Sequence, residues 1–133
     1  MASIRIETFI AAPPEKIWDA LRDVGAVHTR QARGFVTDCR LEEGARIVTF
    51  ANGFVARELI VDIDDENRRL AYAVSGSERL SHHSASFQVF EEDGKSRVVW
   101  IADILPDSAE PAIRGMMEHG SVAMRQTLEA ADK

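Results

Sequence analysis

Apolar and polar positions alternate with a period of two through most of this chain and shift to a period near 3.6 in two places. Residues 3–10 read as a strand, with Ile4, Ile6 and Thr8 on one side and Arg5 and Glu7 on the other. Ala11-Ala12-Pro13-Pro14 ends it. Proline is tolerated in the first turn of a helix, where its missing N–H had no partner anyway, and Glu15 suits the positive helix start. Ile17, Trp18 and Leu21 give one apolar face, and Gly25 closes a helix of about ten residues. Residues 26–34 fit either a short second helix or a loop.

From Phe35 onward strand and turn repeat. Phe35, Thr37, Cys39 and Leu41 share a face, and Glu42-Glu43-Gly44 turns the chain. Residues 46–51 form a strand that runs into Asn52-Gly53, a pair that accepts positive φ and predicts a two-residue type I′ hairpin. Pairing through that turn sets Phe50 across from Val55. It places Val48, Phe50, Val55, Arg57, Leu59, Val61 and Ile63 on one face. Leu70, Tyr72 and Val74 alternate in the next strand, then His83, Ala85, Phe87 and Val89, then Val98, Trp100, Ala102 and Ile104. After Pro106, Ile113, Met117, Gly120, Met124 and Leu128 recur at spacings of three and four, the stripe of one long helix. Asp107 and Glu110 have capping-box spacing, and Arg114–Glu118 and Arg125–Glu129 are i,i+4 pairs on its other side. The order is strand, helix, about six antiparallel strands, long helix: an α+β domain in which an antiparallel sheet with one apolar face is covered by the C-terminal stripe.

Composition adds limits. A chain of 133 residues, 45% hydrophobic and 29% charged, is ordinary for one globular domain over residues 1–133 with a core of its own. The net charge of −6 argues against a grip on nucleic-acid phosphates. One cysteine, Cys39, allows neither an intrachain disulfide nor a multi-cysteine metal site. No charged leader before an apolar run and no stretch of membrane-spanning length is visible, so the expectation is a cytoplasmic protein without membrane insertion.

Candidate chemistry is sparse. His82 and His83 point to opposite faces and cannot easily chelate one metal together. By alternation His83 joins Phe87 inside, as a hydrogen-bonded core histidine or as a polar anchor. Arg57 falls among apolar neighbours and then needs a carboxylate or an anionic ligand group, unless it snorkels at the sheet rim; a bulge would put Glu58 in its place. Tyr72 and Trp100 bring large apolar bodies with one polar tip each. Met117 and Met124 suit an irregular or yielding wall, and His28 could stand at its mouth. No nucleophile elbow or phosphate-cradling loop is present, so catalytic residues, a cofactor and a metal site are not indicated.

The segment Ala12-Pro13-Pro14-Glu15-Lys16-Ile17-Trp18-Asp19-Ala20-Leu21, with Leu70-Ala71-Tyr72 in mid-sheet and Val99-Trp100 before the last helix, resembles the START-like (Bet v 1-like, SRPBCC) superfamily of polyketide cyclases/dehydrases and lipid-transport proteins. The resemblance covers nearly the whole chain. It implies a helix-grip fold, a curved antiparallel sheet around the long C-terminal helix with short helices after the first strand, and a cavity between sheet and helix. It also implies a small apolar partner (a lipid, a polyketide or an aromatic molecule), or cyclase/dehydratase chemistry, and no universal catalytic motif. Phe50, Val55, Arg57, Leu59, Tyr72, His83, Phe87, Trp100, Met117, Met124 and His28 are the ligand-contact residues expected from the inward pattern. A domain that docks a protein partner on its sheet or helix is the remaining alternative.

Overall fold

The computed structural model describes residues 1–133. Strand β1 (Ala2–Ile10) leads to helix α1 (Pro14–Leu21) and a single π-helical turn (Val27–Gln31), which resolves the ambiguous segment. Six strands follow: β2 (Val36–Glu42), β3 (Ala45–Phe50), β4 (Val55–Asp64), β5 (Arg69–Ser75), β6 (His82–Glu92) and β7 (Lys95–Leu105). A short 3₁₀ turn (Asp107–Ala109) opens helix α2 (Glu110–Ala131). The strands form one antiparallel sheet in the order β1-β7-β6-β5-β4-β3-β2. The first strand thus closes against the last, and all other neighbours are hairpins.

Burial explains the sheet. Ile4, Ile10, Leu70, Tyr72, Ala85, Phe87, Val89, Val98, Trp100, Ala102 and Ile104 come from the inner face, and Met117, Met124 and Leu128 come down on them from α2. Ile17, Trp18 and Leu21 of α1 join the same core. The predicted α2 stripe is therefore its buried side: Met117, Gly120, Met124 and Leu128 are buried and Ile113 is half-buried. The start of α2 differs from the sequence pattern. Asp107 sits in the 3₁₀ turn, makes no capping bond and pairs with the amino terminus at 3.1 Å. Arg114 turns back to Glu110 at 2.5 Å instead of reaching Glu118, whereas Arg125–Glu129 forms at 3.3 Å.

The β3–β4 hairpin departs most from expectation. Phe50 N–H donates to the Phe54 carbonyl and Gly53 N–H to the Phe50 carbonyl, both near 2.9 Å (2.8 and 2.9). Thr49, not Phe50, is across from Val55. The loop has three residues, Ala51-Asn52-Gly53, with Gly53 alone at positive φ (88°), as in a type I turn closed by a left-handed glycine. One extra loop residue reverses the β4 assignments from Val55 through Leu59. Val55, Arg57 and Leu59 lie on the outer face; Val55 is 54% exposed, and Arg57 pairs there with Glu42 at 3.3 Å and donates to Ser75 Oγ at 3.3 Å. Ala56, Glu58 and Ile60 take the inner positions. A bulge at Val61 shifts the register between Ile60 and Asp62, so Ile63 returns to pair with Leu70.

Candidate functional site: a cavity between the sheet and α2

The inner faces of β3–β7 do not close completely on α2. A cavity of about 450 Å³ remains, lined mainly by apolar side chains. Its walls are Val48, Phe50 and Ala56 from β3–β4, Val27, Ala32 and Phe35 from the π-turn side, and Ile113, Met116 and Met124 from α2. Asn52, Phe54, Arg79, Ala112 and His119 also line it and are solvent-exposed, so they mark the mouth. The strands run from this mouth inward: β4 from Phe54 to Glu58, and β6 from His83 to Phe87. Four residues of strand put the inner end about 13 Å from the rim.

The inner end carries the polar groups. Arg46 and Glu58 face each other in register, with Nε 2.8 Å from Oε1, and both are buried. Arg46 Nη1 also donates to the Val24 carbonyl at 3.4 Å, and the guanidinium lies 5.4 Å from the centre of the Tyr72 ring. Trp100 Nε1 donates to the Tyr72 hydroxyl oxygen at 3.1 Å. The Tyr72, Phe87 and Trp100 rings stack in sequence, with centroids 6.0 and 4.6 Å apart. Burial, and then the nearby Glu58 carboxylate, push the Tyr72 hydroxyl well above its ordinary pKa, so it stays protonated at all ordinary pH. His83 lines the cavity nearer the mouth. Burial, with a smaller contribution from His82, lowers its pKa and favours the neutral imidazole.

Over residues 1–130 the sequence matches the family model described as polyketide cyclase / dehydrase and lipid transport. The chain belongs to that family. These SRPBCC, START-like domains generally bind hydrophobic molecules. No curated protein matches the sequence. Among solved structures, this SRPBCC domain resembles the protein XoxI from Bacillus cereus (19% identity, 100% of each chain, TM-score 0.86). It also resembles a point mutant of norcoclaurine synthase from Thalictrum flavum in complex with a transition-state analogue (18% identity, 99% of this chain and 96% of that one, TM-score 0.73). A START superfamily protein from Mycobacterium smegmatis is similar as well (11% identity, 98% and 96%, TM-score 0.72). At these identities the likeness shows the shared fold. No helix of the SRPBCC domain is long and apolar enough to cross a membrane, and no cluster of three His, Cys, Asp or Glu side chains is placed to hold a metal ion.

The cavity brings together six of the residues expected from the sequence: Phe50, Tyr72, His83, Phe87, Trp100 and Met124. Val55, Arg57 and Leu59 face away from it because of the hairpin register. Met117 is buried in the solid core between helix and sheet, and Met116, one position earlier, lines the cavity instead. His28 is half-buried in the π turn with its Nδ1 unpaired; its neighbours Val27 and Gln31 reach the cavity, and it does not. The sequence reading missed Arg46 as an inward charge. The signal was available: Arg46 precedes Val48 and Phe50 by two and four residues, so the alternation that turned those two inward turns Arg46 inward also.

Proposed function

We propose that this SRPBCC domain binds one small, largely apolar molecule in the cavity between the sheet and α2. The observation that carries the reading is the cavity itself: about 450 Å³ of space with apolar walls and a few polar groups gathered at one end. That mixture is typical of small-ligand sites, since apolar contact supplies affinity and sparse polar groups fix orientation. A solid core of the same residues would have buried the same surface without leaving space.

A neutral solvatochromic dye such as Nile red tests this. In a Trp18→Phe background the dye should bind one per chain and quench Trp100, whose ring stands in the cavity wall. Met124→Trp should fill the space, abolish dye binding and leave the far-ultraviolet circular dichroism unchanged. Equal dye binding to the Met124→Trp variant would remove the cavity from consideration and favour a surface-docking role.

A second reading, chemistry of the cyclase/dehydratase type, is supported by the polar groups. A phenol held protonated (Tyr72) can donate a hydrogen bond to a developing oxyanion, and an imidazole held neutral (His83) can take a proton, both facing the same space. The Thalictrum flavum synthase point mutant, of similar fold, is in complex with a transition-state analogue. Turnover of a bound ligand that His83→Ala stops while ligand affinity persists would select this reading over simple carriage.

A further inference from the structure

We propose that the inner end of the cavity selects an uncharged ligand carrying a group that both accepts and donates a hydrogen bond, such as an amide, an enol or a phenol, and rejects a carboxylate there. The proposal rests on the cavity being the binding site. Its own basis is the Arg46–Glu58 pair. The two side chains are 2% and 9% exposed, joined at 2.8 Å, and their charges cancel. A buried ion pair of this kind gains little stability over apolar residues of the same shape, because removing both charges from water costs about as much as their attraction returns.

The unused atoms define what fits. Arg46 donates through Nε and Nη1, and Glu58 accepts through Oε1, which leaves Arg46 Nη2 and Glu58 Oε2 with no protein partner while both residues line the cavity. Tyr72 accepts from Trp100, so its own hydroxyl proton is free to donate. The inner end therefore offers two donors and one acceptor. A neutral amide or enol satisfies both kinds. A carboxylate can use the donors, but its charge then lies beside Glu58 with Arg46 already neutralised, and nothing buried offsets its desolvation. The remaining basic groups on the cavity do not change this. Arg79 and His119 are exposed at the mouth, and burial favours the neutral form of His83.

The test compares 2-naphthamide with 2-naphthoate, two probes of one frame, by displacement of Nile red at pH 7. The amide should bind about tenfold more tightly or better, the scale of a hydrogen bond to a charged group. Glu58→Gln keeps an acceptor for Arg46 but leaves its charge uncompensated, so the preference should shrink about tenfold or reverse toward the acid. Should that variant fail to fold, the double variant Arg46→Met/Glu58→Leu replaces the pair by apolar groups. There the amide should weaken about tenfold while naphthalene itself binds as before. Equal or tighter binding of the acid to the unmodified protein, a preference untouched by Glu58→Gln, or Nile red binding with no displacement by either probe would each overturn the selectivity while the cavity stands. Failure of Nile red and both probes to bind would overturn the cavity reading and this inference with it.

Discussion

Across the width of β6, the indole N–H of Trp100 donates to the hydroxyl oxygen of Tyr72 at 3.1 Å. Both side chains are at least nine-tenths buried, so neither polar tip has bulk water to fall back on. Tyr72→Phe should leave the indole N–H without its acceptor and destabilise the protein by about 1–3 kcal/mol, read from the urea midpoint at unchanged slope. The same pair predicts a pH dependence. Because burial raises the pKa of Tyr72 in the folded chain, the unfolded chain loses this proton first. Stability should therefore fall as pH rises above about 10, and part of that fall should be missing in Tyr72→Phe.

His83 titrates in the opposite sense. Burial lowers its pKa in the folded chain, so as pH falls below about 6.5 the unfolded chain takes up the proton first and stability declines. Proton-detected titration should place the His83 midpoint below that of an unperturbed histidine. A bound apolar ligand should lower it further by removing water from the cavity. A midpoint at or above the ordinary value would mean that the imidazole is not held in this environment.

Two glycines of α2 should behave differently on replacement by alanine. Nothing lies within 4 Å of a side chain built on Gly115, so Gly115→Ala should stabilise the helix by about 0.5–1 kcal/mol. At Gly120 the added carbon would meet the Phe35 ring at 3.1 Å and the Trp100 ring at 3.2 Å. Gly120→Ala should lose that gain and shift Trp100 emission as the ring moves into the cavity. Equal stabilisation of both variants would contradict the close approach of α2 to the aromatic stack.

Asp65, in the turn between β4 and β5, accepts from Trp18 Nε1 at 2.9 Å and from Arg22 Nε at 2.7 Å. These bonds, Arg22's first, lower its pKa. Their contribution is present above the ordinary carboxylate pKa and lost as pH falls through the lowered one. Asp65→Asn should be less stable than the unmodified protein at pH 7, and the two should converge below about pH 4.

The sequence made the strand count, the inward faces of β1, β5, β6 and β7, and the buried stripe of α2 legible, because those segments are long, evenly alternating and bounded by clear turns. β4 was not legible. Asn52-Gly53 serves a two-residue loop and also a three-residue loop closed by Gly53, and the local residues are compatible with both. The choice between them decides whether Arg57 or Glu58 meets Arg46. Buried charge decides it: inward Glu58 neutralises Arg46, whereas inward Arg57 would have set two guanidinium groups in one apolar space. That is a long-range consequence which no window of β4 alone contains. The Met116/Met117 exchange has a similar origin. A helix period fixes which side faces the sheet, but where the packed core gives way to open space depends on the shape of the opposite wall.

The fastenings of α1 and α2 have a mechanical consequence. Lys16 binds Asp132 at 2.7 Å, the Ala11 N–H binds Glu129 at 2.8 Å, and Trp18 and Arg22 hold the β4–β5 turn. All of these cross-ties grip the tail of α2 and the strand ends opposite the Asn52–Phe54 rim. The domain is built like a purse stitched at the base: widening the mouth would not require breaking any of these four bonds.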